Sequence, residues 1–236
     1  MNNKIKTIIS GDIIASTSLN ETGRRKIEKG LKYLSKELRK EFDVHTRLRI
    51  GDDRIDCFVP QNEKALRIML AIKCYVKSIP IDLSDISDER GERFKFFKMH
   101  GILLAIGIGE LDRFDEEKGI IDGEAIYNSG RILKEKSTAN KGKVIIKNTL
   151  FIKSSYKEID KEITPILELC DVLLSKCTPK QCKVLYYKLI GKNEEMIVKI
   201  LKKKQSTINE HSTVAGWNAF ESAVLRYENV IETKLI

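Results

Sequence analysis

An apolar run that ends in an aspartate is the first feature of the chain with evident chemical use. Residues 8–17 read Ile-Ile-Ser-Gly-Asp-Ile-Ile-Ala-Ser-Thr, so the carboxylate of Asp12 stands where a strand passes into a turn of small residues. A second acidic pair, Asp52 and Asp53, follows another strand-like stretch. Hard cations such as Mg²⁺ take carboxylate oxygens together with phosphate oxygens. Asp12 and Asp52 therefore predict a site for a divalent metal ion and a nucleotide phosphate.

Each aspartate taken alone also has a purely structural interpretation. Asp12 would cap the helix that follows it, and Asp52 with Asp53 would form a hairpin turn, because aspartate is common in both places. The metal-site interpretation is favoured by the combination of these aspartates with the motifs described below.

Hydrophobic periodicity predicts the elements that must position these residues. Strands are predicted over 4–10, 45–50, 54–59, 94–109 and 143–146. Helices are predicted over 22–41, 64–79 and 123–136, with a polar loop over 82–93. The order β-α-β-β-α-β is that of a ferredoxin-like sheet with helices on one face. Beyond residue 164 only helical patterns occur, over 165–176, 179–190, 193–201, 205–215 and 217–232.

The predicted fold class is therefore α+β, with a sheet domain followed by an all-α domain. The sheet domain is expected to span 1–147 and the helical domain 165–236, joined by a polar connector over 148–164.

Composition restricts the class of protein. The 236 residues carry a formal net charge of +9, which favours a polyanion as partner. The sequence shows neither a signal peptide nor an apolar stretch long enough to span a bilayer, so a cytoplasmic protein with no membrane partner is expected. The five cysteines form no C-x-x-C pair, which is typical of reduced thiols in the cytosol.

Four motifs between residues 4 and 147 resemble, in order, those of class III nucleotidyl cyclases, and within that fold the bacterial SatD family. They are 11–17, 50–52, 107–110 and 123–131. The resemblance implies Mg²⁺ or Mn²⁺ on Asp12 and Asp52, a nucleotide ligand, and a homodimer, since the family's site forms between two subunits. It also implies phosphate contacts from the loop backbone and one helix guanidinium, at Ile13, Ile14, Ala15, Ser16 and Arg131.

Three positions depart from the cyclase pattern. Leu48 and Ile120 stand where cyclases read the purine base, and Tyr127 stands where they carry an asparagine. Because Leu and Ile cannot hydrogen-bond a purine edge, turnover of ATP or GTP is predicted to be weak or absent. Two alternatives stay open: an active metal-dependent cyclase or nucleotidyltransferase, and a catalytically silent dimerisation scaffold.

The C-terminal residues carry a second pattern, in which two short helices flank a basic turn at 202–204. Thr178 and Pro179 open the preceding helix as N-cap and first helical residue. The segment resembles DNA-binding domains of response-regulator type and the C-terminal half of SatD-like proteins, and it has the helix-turn-helix pattern. The resemblance implies phosphate contacts by Lys202 and Lys204, and base contacts by Gln205, Ser206 and Asn209.

The leading hypothesis from the sequence is a dimeric DNA-binding regulator whose cyclase-like domain binds or senses a nucleotide. The alternative for the C-terminal domain is a small helical bundle that mediates dimerisation or protein contact. Glu210 supports this alternative, because a carboxylate on the recognition helix would repel phosphates.

Overall fold

The described part of the chain comprises residues 4–49, 53–87, 92–136 and 146–235 of a computed structural model. Within these ranges the strands are β1 (Ile5–Ile13), β2 (His45–Arg49), β3 (Arg54–Val59), β4 (Ile102–Asp115), β5 (Ile120–Gly123) and β6 (Leu150–Ser154). The N-terminal helices are α1 (Glu21–Phe42), α2 (Ala65–Ser78), α3 (Glu92–His100) and α4 (Glu124–Lys136). The C-terminal helices are α5 (Lys157–Lys176), α6 (Pro179–Leu189), α7 (Glu194–Leu201), α8 (Gln205–Val214) and α9 (Trp217–Lys234).

The sheet is built on four antiparallel strands in the order β2-β3-β1-β4. With α1 following β1 and α2 following β3, this confirms the predicted β-α-β-β-α-β order. The other edge of β4 pairs in parallel with β6 along its first half, and in antiparallel fashion with β5 along its second half. Neither β5 nor the parallel partner at Leu150–Ser154 is predicted from the sequence.

Different helices cover the two faces of the sheet. Successive strand residues point to opposite faces, and Ile9, Cys57 and Ile106 belong to the core that includes α1 and α2. On the opposite face, Ile8 packs with Ala125 of α4. The prediction that the helices lie on one face is therefore wrong for α4.

A glycine of β4 lets α4 lie close to the sheet. A Cβ atom on Gly107 would stand 2.1 Å from the carbonyl oxygen of Ala125 and 2.6 Å from the amide nitrogen of Ser129. Both neighbours are backbone atoms of α4, so a side chain on Gly107 would displace the helix. This glycine of the 107–110 motif therefore positions α4 on the sheet.

The segment 94–109, predicted as one long strand, is a helix followed by a strand. Phe94 and Phe97 lie three residues apart and are buried on one side of α3. Gly101 ends this helix with φ at 67°, and its N–H donates to the Phe97 carbonyl at 2.7 Å. Since glycine adopts this left-handed conformation without strain, β4 begins directly after it.

Residues 148–164, predicted to be a connector, contain β6 and the first part of α5. Ile159, Ile163 and Leu167 form one buried stripe that runs through α5. Pro165 stands inside this helix, whereas the prediction placed the helix start there. Burial of the stripe outweighs the loss of one backbone N–H at the proline. Of the strand predicted over 143–146, residues 143–145 lie outside the described residues.

The C-terminal helices pack directly on α2. Tyr186 of α6 meets Tyr75 of α2 edge-on, with ring centroids 4.9 Å apart, and Arg67 of α2 donates to Glu228 of α9 at 3.1 Å. Buried apolar residues of α2, α5, α6 and α9 belong to one continuous cluster. Nowhere in the described ranges is there a helix with the length and apolar character needed to cross a membrane. The division into two functional domains stays a prediction.

Candidate functional site

A groove of about 420 Å³ lies on the α4 side of the sheet, between α4 and the hairpin of β2 and β3. Four cationic side chains line it: Arg47 of β2, Arg54 of β3, and Arg131 and Lys134 of α4. Arg131 was predicted to contact phosphate, and it is exposed along this groove. The lining is therefore suited to an anion.

A buried hydrogen-bond network forms the floor of the groove. The Ser10 hydroxyl donates to Asp56 at 2.8 Å and lies 2.8 Å from the Ser129 hydroxyl of α4. Arg47 donates from Nη2 to Asp56 at 2.7 Å and from Nη1 to the Gly119 carbonyl at 2.9 Å. The Arg47 Nε–H is buried and has no acceptor among the described residues. Arg47 is thus held in place on the groove floor by Asp56 and the Gly119 carbonyl.

Asp12, the first predicted metal ligand, lies beside an arginine. Register in the β1–β3 pair places Asp12 opposite Arg54, and the distance from Asp12 Oδ1 to Arg54 Nε is 3.9 Å. Asp52, the second predicted ligand, lies outside the described residues. Within the described ranges no three His, Cys, Asp or Glu side chains converge on a possible metal position. The Asp12 carboxylate therefore stands beside the Arg54 guanidinium, and the binding of Mg²⁺ or Mn²⁺ by Asp12 and Asp52 stays a prediction.

The first two backbone N–H groups of the predicted phosphate loop form hydrogen bonds with other backbone carbonyls. The N–H of Ile13 donates to the Asp53 carbonyl at 3.1 Å, and that of Ile14 donates to the Gly101 carbonyl at 3.0 Å. In this conformation both N–H groups already have backbone acceptors, and the phosphate contacts of Ile13 and Ile14 stay a prediction. Ala15, with φ at 57°, and Ser16 form the turn that follows and remain the predicted donors.

Two of the positions that depart from the cyclase pattern, Leu48 and Tyr127, and the neighbouring Asn128 make structural contacts. Leu48 is partly buried against the core on the α1 and α2 side of the sheet. Asn128 is buried and donates from Nδ2 to the Ile108 carbonyl at 3.1 Å, so its amide is engaged between α4 and β4. Tyr127 is exposed and donates to the Asp122 carboxylate. The only asparagine of α4 is therefore not placed in the groove.

The α7–α8 pair has the lengths and turn that the sequence predicts. The turn begins at Lys202 in the left-handed conformation, with φ at 52°, and its N–H donates to the Val198 carbonyl. Two further residues lead to Gln205, the first residue of α8. Ile208 and Ser212 are buried on the inner side of α8, which packs against α6.

The predicted DNA-binding side chains come together at the start of α8. All of them are exposed: Lys202, Lys204, Gln205, Ser206 and Asn209. Neither lysine forms an ion pair with a carboxylate of the described residues. The exposed Glu210 places one negative charge on the same helix. The arrangement is a cationic turn followed by a polar, solvent-facing helix start.

Arg47, Arg54 and Lys134 are groove residues that the motifs do not predict. The two-residue period of a strand puts Arg54 and Asp56 on one face, which is a usable signal in the sequence. The contact between Asp56 and Ser10 depends on the β1–β3 register, which places Ser10 opposite Asp56.

No family model matches the chain, and no curated protein matches it. Among solved structures it is similar to a bacterial light-regulated adenylyl cyclase, at 12% identity and a TM-score of 0.43, over 63% of this chain and 75% of that one. A second structure of a bacterial light-regulated adenylyl cyclase gives 12% identity and a TM-score of 0.41, over 63% and 43% of the two chains. The adenylyl cyclase CyaB from P. aeruginosa gives 16% identity and a TM-score of 0.37, over 56% and 72%. Similarity this distant leaves the activity of the chain to be argued from its own residues.

Proposed function

We propose that this protein is a DNA-binding regulator in which α8 enters the major groove of duplex DNA and the arginine-lined groove binds a nucleotide. The observation that carries the proposal is the exposed, polar start of α8 directly after a turn of three lysines. Lysine ammonium groups at this place suit the phosphate backbone, and amide and hydroxyl side chains suit base edges.

The alternative of a protein-contact bundle is less consistent with the surface of α8. Protein interfaces have an apolar centre, whereas the exposed side chains at the start of α8 are Gln205, Ser206 and Asn209. Val214, at the far end of the helix, is the exposed large apolar residue of α8. The N-terminus of α8 also adds the partial positive charge of a helix dipole next to the lysines.

The proposal for the first groove is nucleotide binding without cyclisation. Arg47, Arg54 and Arg131 line the groove with guanidinium groups, which suit phosphate oxygens, and Arg131 is exposed. Asn128 is engaged in helix–sheet packing and Leu48 in the core, so neither supports an active cyclase. Replacing Arg131 by Gln is expected to weaken nucleotide binding at this groove.

A homodimer is part of the proposal, since the resemblance to class III cyclases implies one and helix-turn-helix dimers bind paired half-sites. Sedimentation of the full chain with and without nucleotide tests it. A monomer under both conditions, at concentrations where DNA is bound, contradicts the dimer.

A selection from a random pool of duplexes tests DNA recognition by α8. The full chain should enrich a defined sequence. Asn209→Ala should relax the preference while retaining binding to unselected DNA, whereas the double change Lys202→Ala and Lys204→Ala should weaken binding to every sequence alike. If no duplex is retained even at low salt, the bundle is a protein-contact module and the proposal fails.

A further inference from the structure

A second groove, of about 430 Å³, lies where α1, α2 and α6 meet, on the side of the sheet opposite α4. Its charged and aromatic lining comes from Lys26, Lys29 and Tyr33 of α1, Tyr75 of α2, and Lys183 of α6, and Lys26 is already paired with Asp85 at 2.7 Å. No carboxylate lines it, and Glu37, whose carboxylate interacts with the Tyr33 hydroxyl, lies outside the lining. Grooves of this size accommodate a small ligand.

One wall of this groove is an incomplete aromatic stack. The rings of Tyr33 and Tyr75 are stacked, with centroids 5.8 Å apart and planes inclined by 18°. Tyr75 is almost fully buried, whereas Tyr33 is 46% exposed. One face of the Tyr33 ring is therefore packed while part of the ring remains open to the groove, where another planar ring would extend the stack.

The second wall carries a positive charge that lacks an anion. Lys183 Nζ lies 4.5 Å from the centroid of Tyr75 and 5.5 Å from that of Tyr187, over their rings. No described carboxylate forms an ion pair with Lys183, and burial lowers the pKa of its ammonium group. Lys29 is exposed beside it. An ammonium that has lost water and gained no counterion favours the arrival of an anion.

We propose that this groove binds a planar aromatic anion of mononucleotide size, with its ring on Tyr33 and its anionic group between Lys183 and Lys29. A nucleoside monophosphate and an aromatic carboxylate share this chemistry. The site is separate from the arginine-lined groove and does not depend on DNA binding by α8. Because it joins α1 to α6, its ligand would bridge the sheet domain and the C-terminal helices.

Calorimetric titration of the full chain with AMP, GMP, salicylate and inorganic phosphate tests the proposal. At least one ring-bearing anion should bind saturably, and which of them does so identifies the source. Lys183→Met should weaken that binding by at least about tenfold, the size of a lost charge-assisted hydrogen bond. Tyr33→Leu should weaken it by a similar factor through lost stacking. Lys180→Met, at an exposed position of the same helix, should leave it unchanged.

Two further variants separate this site from the other groove and from misfolding. Arg131→Gln should leave binding at the α1–α6 groove intact, and Lys183→Arg should retain it because the charge is kept. Absence of saturable binding by every ring-bearing anion overturns the proposal. So does binding that Arg131→Gln abolishes and Lys183→Met spares, or inorganic phosphate binding as tightly as the ring-bearing ligands.

Discussion

Replacing Gly107 by alanine tests the placement of α4, which carries Arg131 to the nucleotide groove. The added Cβ would lie 2.1 Å from the Ala125 carbonyl oxygen, whereas real Cβ contacts under 3.0 Å are essentially absent from proteins. The helix must therefore move by nearly 1 Å. Overpacking of this kind costs about 1–3 kcal/mol, and loosening the buried Ser10–Ser129 hydrogen bond adds about 1 kcal/mol. We expect Gly107→Ala to lower the free energy of unfolding by about 3 kcal/mol.

Urea denaturation followed by circular dichroism measures this loss, with the fluorescence of Trp217, the single tryptophan, as a second probe. Gly130→Ala is the matched control, because a Cβ there meets no atom within 4 Å and the position lies inside α4. It should stabilise the protein by about 0.5–1 kcal/mol. If Gly107→Ala stays within about 0.5 kcal/mol of the unmodified chain, α4 does not lie on β4 as described.

Three other predictions use different parts of the molecule. Lys202→Gly should stabilise the protein by about 0.5–1 kcal/mol, because Lys202 has a left-handed φ of 52°. Lys203→Gly should destabilise the protein, because φ at Lys203 is not positive. Equal effects of the two changes in urea denaturation would contradict this prediction. Burial lowers the pKa of His100 to about 4, and Lys73 adds repulsion. Between pH 6.5 and pH 4 the His100 side chain is therefore protonated in the unfolded chain but not in the folded chain. The free energy of unfolding should fall by up to about 3 kcal/mol as the pH is lowered from 6.5 towards 4. His100→Gln should flatten this pH profile, which urea denaturation at each pH measures. Incubation with ATP or GTP and Mn²⁺ should give little or no cyclic product by chromatography, whereas robust product that Asp12→Ala abolishes would make the protein a cyclase.

The elements with strong periodicity can be predicted from the sequence, and those determined by tertiary contacts cannot. The stripe of Ile27, Leu31 and Leu34 predicts α1 directly, since spacings of four and three residues build one apolar face of a helix. The run 94–109 is misread because its apolar residues suit either period, and the break at Gly101 depends on a positive φ. Pro165 leads to the opposite error, a helix start predicted where the helix in fact continues. Buried residues on both sides of Pro165 keep α5 continuous.

The candidate sites also differ in whether local sequence or tertiary contacts determine them. The turn and start of α8 lie within a few consecutive residues, so local spacing is enough to predict the positions of Lys202, Lys204 and Asn209. The arginine-lined groove joins β1, β2, β3 and α4, and the pairing of Ser10 with Asp56 and Ser129 follows from strand register and from the close approach at Gly107. No local pattern contains that information.

The salt dependence of DNA binding tests the central claim most directly. The affinity of the full chain for a duplex should fall steeply with salt, because each lysine–phosphate contact releases about one counterion. Changing both Lys202 and Lys204 to alanine should reduce the log–log slope by about 2, whereas changing Lys157 and Lys161, exposed on α5, should leave it unaltered. Equal slopes for the two double variants, or binding that does not respond to salt, would contradict DNA binding through α8.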